Sequence, residues 1–187
     1  AVSRSKTPSF LVITSGGGTS VSEQEIYRVE TQTRNAKFSE EEISEAVNLV
    51  KLKWQYALTD EDWEKYQTAA KKAQAKKWFS NVGAALDKDS QYWQFERQLK
   101  GFDPTSYIKK LKIPVLVLFG ESDDTVPVKI DSVIWENSLK ETQNKDYKIT
   151  ILPKLGHALL FYQQDGKPFL ATESIEIMSN WLQTHFK

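Results

Sequence analysis

The sequence predicts an α/β protein in which parallel strands, with helices flanking them, are interrupted by a helical insertion. Residues 10–15 form a short continuous apolar run typical of a strand buried on both faces, residues 114–119 form a second buried-strand pattern, and residues 147–152 form a third strand pattern. Residues 20–100 contain only helical patterns, and strand and helix alternate after them. This order of elements favours a parallel sheet with an insertion after its first strand.

Helix-start signals place the elements of the insertion. Ser39 with Glu42 forms the sequence pattern of a capping box, which predicts the start of an amphipathic helix. Thr59 or Asp60 is expected to cap the next helix, which is predicted to extend to Trp78. The insertion is therefore expected to be helical throughout.

A final helix is predicted downstream of the third strand. Pro168 suits the first turn of a helix, and the apolar spacing continues to about Phe186. The residues expected on the buried side of this helix are Phe169, Leu170, Ile175, Met178, Trp181 and Leu182.

Composition excludes several functional classes. The 187 residues are 40% hydrophobic, which suffices for a buried core, and no apolar run approaches the roughly 18 residues of a membrane span. Lys+Arg and Asp+Glu are balanced at 25 each, so no overall field draws the chain to nucleic acid or an anionic membrane. Cysteine is absent, which excludes disulfides, thiol nucleophiles and Cys-ligated zinc but leaves the compartment open.

Two polar residues that could act together follow the second and third strands. Asp123 comes three residues after Gly120, where the second strand stops, and His157 follows Gly156 just beyond the third. The 34 residues between Asp123 and His157 accommodate one helix and one strand. Both side chains should therefore emerge at the same carboxyl edge of a parallel sheet, where α/β proteins place their sites.

These two segments, Val115–Pro127 and Ile151–Phe161, resemble the acid- and histidine-bearing strand ends of the α/β-hydrolase superfamily. The family order of serine, acid and histidine fits Asp123 before His157. The resemblance implies that Asp123 orients His157, which would be the general base of acyl transfer on an ester or amide. It also implies that no cofactor or metal is needed.

The same resemblance implies a partial α/β-hydrolase fold. Residues 1–19 and 101–187 would be the C-terminal part of the core, and residues 20–100 would be a helical cap, as in capped serine peptidases and esterases. Five aromatic residues of this cap would either pack it onto the body or line the substrate entrance, and each is expected to be a core residue and not a pocket residue. They are Trp54, Trp63, Trp78, Tyr92 and Trp93. The substrate would be a small molecule or a peptide.

The nucleophile that the family requires has no counterpart in this sequence. No Gly-x-Ser-x-Gly elbow occurs, and Ser15 is a poor substitute because it ends a strand and runs into a loop, so we expect it to be structural. In the family layout Ala1–Lys6 would end the elbow helix, and the serine would lie roughly ten residues before Ala1. The isolated chain is then expected to be inactive.

A second expectation concerns residues 9–15, which would normally pair with the nucleophile strand. Without that strand their edge is open, which predicts self-association or binding to the N-terminal half of the same protein.

Several other residues have simpler interpretations. Asp124 is expected to point away from His157, and His185 to be a surface residue favoured by a helix C-terminus. Gly16–Gly18 lacks the Gly-Lys-Ser/Thr of a phosphate loop. No metal cluster is credible beyond Asp123, Asp124 and His157 themselves. The cluster of Lys71, Lys72, Lys76 and Lys77 is interpreted as a solvated face.

Two other functional classes stay open. A non-catalytic binding or interaction module could keep the hydrolase scaffold and use the aromatic helical layer as its surface; replacement of Asp123 and His157 would then leave function intact. A less favoured hypothesis is an enzyme of the same fold that uses an aspartate as its nucleophile. That aspartate would also lie in the nucleophile elbow, which this sequence does not contain.

Overall fold

The computed structural model describes residues 8–83, 87–162 and 168–185. The chain divides into two compact units. The sheet unit comprises the chain up to Ser20 together with the chain from Asp103 onward, and the helical unit comprises Val21–Phe102. These bounds differ by one or two residues from the predicted domain bounds. That the helical unit is a cap stays a prediction.

The sheet unit contains five strands, three α-helices and one 3₁₀ turn, His157–Leu159, among its described residues. They are β1 (Leu11–Thr14), α6 (Pro104–Ile108), β2 (Val115–Gly120), α7 (Val128–Glu141), β3 (Tyr147–Leu152), β4 (Leu160–Tyr162), β5 (Pro168–Leu170) and α8 (Thr172–His185). The helical unit contains the elements α1 (Val21–Asn35), α2 (Glu40–Thr59), α3 (Trp63–Ala73), α4 (Phe79–Val82) and α5 (Gln91–Arg97).

Strands β1, β2 and β3 form a parallel sheet in that order. Leu11 pairs with Val115, and Val115 pairs with Tyr147 on its other side. Every residue of the central strand β2 is buried, whereas β1 is half-buried and its Thr14 is exposed. The predicted α/β chain with parallel strands is thus confirmed, but the prediction that β1 is buried on both faces is wrong. The cause is its position as an outer strand of this sheet.

The C-terminal part of the sheet unit differs from its prediction. Residues 168–170 form β5, which pairs antiparallel with β4, and the last helix begins only at Thr172. Phe169, Leu170 and Ile175 are exposed, in contrast to their predicted burial, while Trp181 is buried. A proline fits the start of a strand as well as that of a helix, so Pro168 did not discriminate between them. The predicted end at Phe186 lies outside the described residues, as does the predicted helix tail Ala1–Lys6.

The helical unit contains helices and turns without a strand over residues 21–83 and 87–102, as predicted. The capping box is confirmed, because the Ser39 side chain accepts the Glu42 N–H and the Glu42 carboxylate accepts the Ser39 N–H. The predicted start of the next helix is wrong: Asp60 ends α2 in a left-handed conformation, and α3 begins at Trp63.

The helix predicted to reach Trp78 ends at Ala73. The four residues between Ala73 and Trp78 include no large apolar side chain that could bury another turn of helix. The chain instead turns, and the Lys76 N–H donates to the Ala73 carbonyl at 2.8 Å. The four lysines of this region are exposed, as predicted.

The aromatic residues of the helical unit form its own core. The rings of Tyr56 and Trp93 meet edge to face with 4.8 Å between their centroids, and Trp63 and Tyr66 pack against both. Trp54 and Trp78 are also buried in this core, and Tyr92 packs against it. Such ring pairs stabilise a fold beyond the apolar area that they bury. These side chains therefore contribute to the internal packing of the helical unit.

Candidate active site

The loop after β2 fixes the position of Asp123. The Asp123 N–H donates to the Gly120 carbonyl at 3.1 Å, which turns the chain directly after the strand. Its carboxylate then accepts the backbone N–H groups of Thr125 at 2.8 Å and Val126 at 3.0 Å. The side chain is 0% exposed. A buried carboxylate with two backbone donors has little rotational freedom.

The histidine-bearing loop approaches Asp123 across Gly120. The Ser122 N–H donates to the Leu155 carbonyl at 2.8 Å. A Cβ at Gly120 would lie 2.3 Å from the Leu155 carbonyl oxygen and 2.4 Å from that of Gly156. Backbone oxygens cannot move aside as a flexible side chain can, so only glycine permits this approach. Gly120 thereby allows the loop that carries His157 to reach the acid.

His157 and Asp123 are brought together as predicted. His157 Nδ1 lies 3.0 Å from one carboxylate oxygen of Asp123 and 3.2 Å from the other. Because an ionised carboxylate can only accept, Nδ1 carries the proton in this contact, and Nε2 of the neutral ring is the proton acceptor. Nε2 makes no hydrogen bond to any residue that the structure describes, and the side chain is 45% exposed. The ring is thus held at one nitrogen and open at the other.

The pair also shifts the ionisation of both partners. The hydrogen bond to Asp123 raises the pKa of His157 above its ordinary value, and this outweighs the opposing effect of burial. Burial raises the pKa of Asp123, but the hydrogen bonds from His157, Thr125 and Val126 together outweigh it and hold that pKa below its ordinary value. Asp123 therefore stays ionised while it stabilises a protonated His157.

Ser15 connects β1 to the same loop. Its hydroxyl oxygen accepts the Ala158 N–H at 2.9 Å, directly after His157, and the side chain is buried. Ser15, Ala158 and Leu159 have positive φ angles of 50°, 57° and 61°. Non-glycine residues adopt this left-handed conformation only where the surroundings hold them in it. The contact is consistent with the structural role expected for Ser15.

The glycine-rich segment after Ser15 packs against α7. The Trp135 indole N–H donates to the Gly16 carbonyl at 2.8 Å, and a Cβ at Gly18 would lie 2.8 Å from a methyl group of Ile134. The Thr19 N–H donates to the Asp131 carboxylate at 2.8 Å. These contacts give Gly16–Gly18 a packing role in the sheet unit.

Sequence reasoning missed Asp131, which is a second buried acid near the pair. It lies in the first turn of α7 and is 0% exposed, and burial raises its pKa above the ordinary value. The charge of Asp123 contributes to the same shift. The sequence signal that could have identified Asp131 is its place in the first turn of a predicted helix, where the helix dipole favours negative charge.

The remaining candidates take no part in the Asp123–His157 contact. The Asp124 carboxylate accepts the Thr125 hydroxyl at 3.2 Å. His185 is more engaged than a simple surface residue, since its ring nitrogens contact the Trp181 carbonyl at 2.8 Å and the Asp146 carboxylate at 2.9 Å. Among the described residues, no group of three histidine, aspartate or glutamate side chains could hold a metal ion.

No protein-family model matches the chain, and no curated protein sequence matches it significantly. None of the described helices combines the length and the apolar character that crossing a membrane requires.

Proposed function

We propose that this chain supplies the acid and the histidine of a serine-hydrolase site of the α/β-hydrolase type. The observation that carries the proposal is the buried Asp123 carboxylate at 3.0 Å from Nδ1 of His157, with Nε2 open. This is the arrangement in which an acid fixes the tautomer of a general base. The order of the two residues along the chain agrees with that family.

The proposed reaction is acyl transfer from an ester or amide of a small molecule or peptide. A serine hydroxyl beside Nε2 of His157 would transfer its proton to that nitrogen while its oxygen attacks the carbonyl carbon. Asp123 would stabilise the resulting imidazolium, which then gives the proton to the leaving group. Water would hydrolyse the acyl-enzyme by the same proton route. The serine itself would come from residues outside the printed sequence, since no Gly-x-Ser-x-Gly occurs within it.

The outer edge of β1 is the proposed place of contact with the segment that carries the serine. The N–H groups of Leu11 and Ser15 donate toward β2, so those of the alternate residues Val12 and Thr14 point away from it. No described strand pairs with that edge. We expect the isolated chain to self-associate through it, and a clean monomer in analytical ultracentrifugation at micromolar concentration would count against this contact.

The first test is to read the coding sequence immediately upstream of the Ala1 codon. An in-frame Gly-x-Ser-x-Gly would support the proposal. A start codon with no such motif within reach would contradict it and favour a non-catalytic binding module on the same scaffold.

The second test uses the chain extended to include that serine. We expect labelling by a fluorophosphonate and hydrolysis of nitrophenyl acetate, with His157→Ala and Asp123→Asn each lowering turnover by about 10³-fold or more. The matched controls are Asp124→Asn and His185→Ala, which should change turnover little. Saturable turnover by the isolated chain that His157→Ala abolishes would show that the nucleophile lies within the printed sequence.

A further inference from the structure

Asp131 is a buried acid on α7 that takes no part in the proposed proton transfer. It is 0% exposed. One of its carboxyl oxygens accepts the Thr19 N–H at 2.8 Å, and the other is buried without a hydrogen-bond partner among the described residues. No cation within the described part of the chain pairs with it, and the like charge of Asp123 acts on it. A buried carboxyl with one bare oxygen and no cation is more stable as the neutral acid.

Asp131 and Trp135 hold the two ends of the segment Gly16–Thr19. They lie one helical turn apart on α7, and residues with this spacing share one face of a helix. The Trp135 indole N–H donates to the Gly16 carbonyl at 2.8 Å, and Asp131 accepts the Thr19 N–H at the same distance. The path of this segment is therefore fixed against α7.

Ser15 directly precedes this segment and connects it to the histidine loop. Its N–H donates to the Leu118 carbonyl at 2.8 Å, so β2 fixes the chain on one side of Ser15 and α7 fixes it on the other. Its φ of 50° lies in the left-handed region, which a serine adopts only where the surrounding chain holds it there. In this conformation its hydroxyl oxygen accepts the Ala158 N–H at 2.9 Å, directly after His157. Hydrogen bonds thus link α7 to the loop that carries the imidazole.

We propose that Asp131 is a positioning residue which, as a neutral acid, holds the His157 loop in place against Asp123. By accepting the Thr19 N–H it fixes the chain after Ser15, and Ser15 in turn fixes the loop. Its neutrality keeps a second buried negative charge away from the imidazole. Such a charge would raise the His157 pKa further and make the imidazolium a weaker proton donor to the leaving group. The catalytic value of this role rests on the proposed function, whereas the positioning itself does not.

The test compares Asp131→Ala with Asp131→Asn in the complete chain. Asp131→Asn keeps an uncharged acceptor for the Thr19 N–H, whereas Asp131→Ala removes the acceptor. We expect the His157 pKa, measured from the ring resonances in an NMR titration, to fall toward its ordinary value of about 6.5 in Asp131→Ala and to be retained in Asp131→Asn. In a chain extended to include the serine, Asp131→Ala should lower kcat about tenfold with little change in KM, because the general base is misplaced.

The control for a general loss of stability is Leu139→Ala. Leu139 is buried in the core of the sheet unit, two turns further along the same helix, and its truncation leaves a cavity there. We expect this variant to unfold at a lower urea concentration and to keep the His157 pKa of the unmodified chain.

Two results would overturn the proposal. An unchanged His157 pKa in Asp131→Ala would show that Asp131 does not position the ring. A fall of that pKa in Asp131→Asn as large as in Asp131→Ala would show that the charge of Asp131 acts on the ring, and not its acceptor oxygen.

Two further measurements keep the proposal testable if Asp131→Ala does not fold. Trp135→Phe removes the other hydrogen bond that holds the segment, so it should also lower the His157 pKa, and no change would contradict the positioning role. In the unmodified chain the carboxyl carbon of Asp131 should titrate above the ordinary aspartate pKa of about 3.9, and a lower value would contradict the neutral acid. Neither readout depends on catalysis, so the absence of a serine elbow would overturn the proposed function and leave these results standing.

Discussion

His157 and His185 each lie beside an aspartate, at 3.0 Å from Asp123 and at 2.9 Å from Asp146. The hydrogen bond to Asp123 raises the pKa of His157, whereas the pKa of His185 is raised first by its contact with the Trp181 carbonyl and then by Asp146. The acids differ: the Asp123 side chain is 0% exposed and the Asp146 side chain is 52% exposed. Asp123 also accepts two backbone N–H groups, which hold it in one orientation.

The two histidines also differ in the contacts that their second ring nitrogen makes. His185 uses both nitrogens, one toward the Trp181 carbonyl in its own helix and one toward Asp146 in the segment before β3. Both partners are acceptors, so the neutral ring can donate to only one of them and the protonated ring to both, and neither nitrogen is left open for a substrate. His157 leaves Nε2 open to the solvent side. A short distance to an acid is thus common to both histidines, whereas a buried acid and an open second nitrogen occur only at His157.

The largest expected effect comes from Gly120→Ala, because the added Cβ would overlap two backbone oxygens of the histidine loop. We expect the free energy of unfolding to fall by about 3 kcal/mol, together with a loss of the raised His157 pKa. Urea unfolding and an NMR titration would measure the two effects. The control is Gly156→Ala, whose Cβ would approach no atom closer than 3.4 Å. Equal effects of the two variants would contradict the role given to Gly120.

Asp123→Asn should lower the free energy of unfolding by about 2 kcal/mol, since a buried acceptor of several hydrogen bonds loses its charge. The His157 pKa should fall at the same time, because the partner that raises it is gone. Asp146→Asn should lower only the His185 pKa and change stability little, as its carboxylate is exposed. If Asp146→Asn destabilised the chain as much as Asp123→Asn, burial would not be the difference between the two pairs.

Ser15→Ala removes the acceptor of the Ala158 N–H, and we expect a loss of about 1 kcal/mol. The His157 pKa should also fall, because the loop that presents the ring is less well fixed against Asp123. Thr14→Ala is the matched control, since Thr14 is the exposed last residue of β1, directly before Ser15. If the His157 pKa were the same in Ser15→Ala as in the unmodified chain, Ser15 would contribute only to local packing and not to the position of His157.

The smallest effect is the pH dependence of stability. A raised histidine pKa adds stability that is complete below the unfolded-state pKa of about 6.5 and is lost as the pH rises through the folded-state pKa. The lowered pKa of Asp123 adds stability that is complete above about 3.9 and is lost as the pH falls through its folded-state pKa. Between these limits the Asp123–His157 pair contributes most. His157→Gln should therefore destabilise the chain more at pH 5 than at pH 8 in urea unfolding, and an equal loss at both would argue against the pair.

Local sequence patterns predicted much of the fold. The run that became β2 was visible because a strand buried on both faces needs continuous apolar residues. The capping box at Ser39 was visible because its partners are three residues apart. The pairing of β4 with β5 was not predicted, because each strand has only three residues and Pro168 fits the start of a helix as well as that of a strand. The end of α3 at Ala73 was also missed, since the Gln-Ala-Lys-Lys segment that follows fits an exposed helix and an exposed turn equally well.

The sequence by itself determined that two polar residues, Asp123 and His157, each follow a predicted strand, because the apolar pattern of a strand is local in sequence. Only the tertiary structure decided that Gly120 lets the two loops touch, that Ser15 holds the Ala158 N–H, and that Asp131 is buried nearby. Gly120 approaches Leu155, Ser15 contacts Ala158, and Asp131 accepts the Thr19 N–H. The partners in each pair lie far apart in sequence, so chain packing, and no short-range pattern, brings them within contact distance.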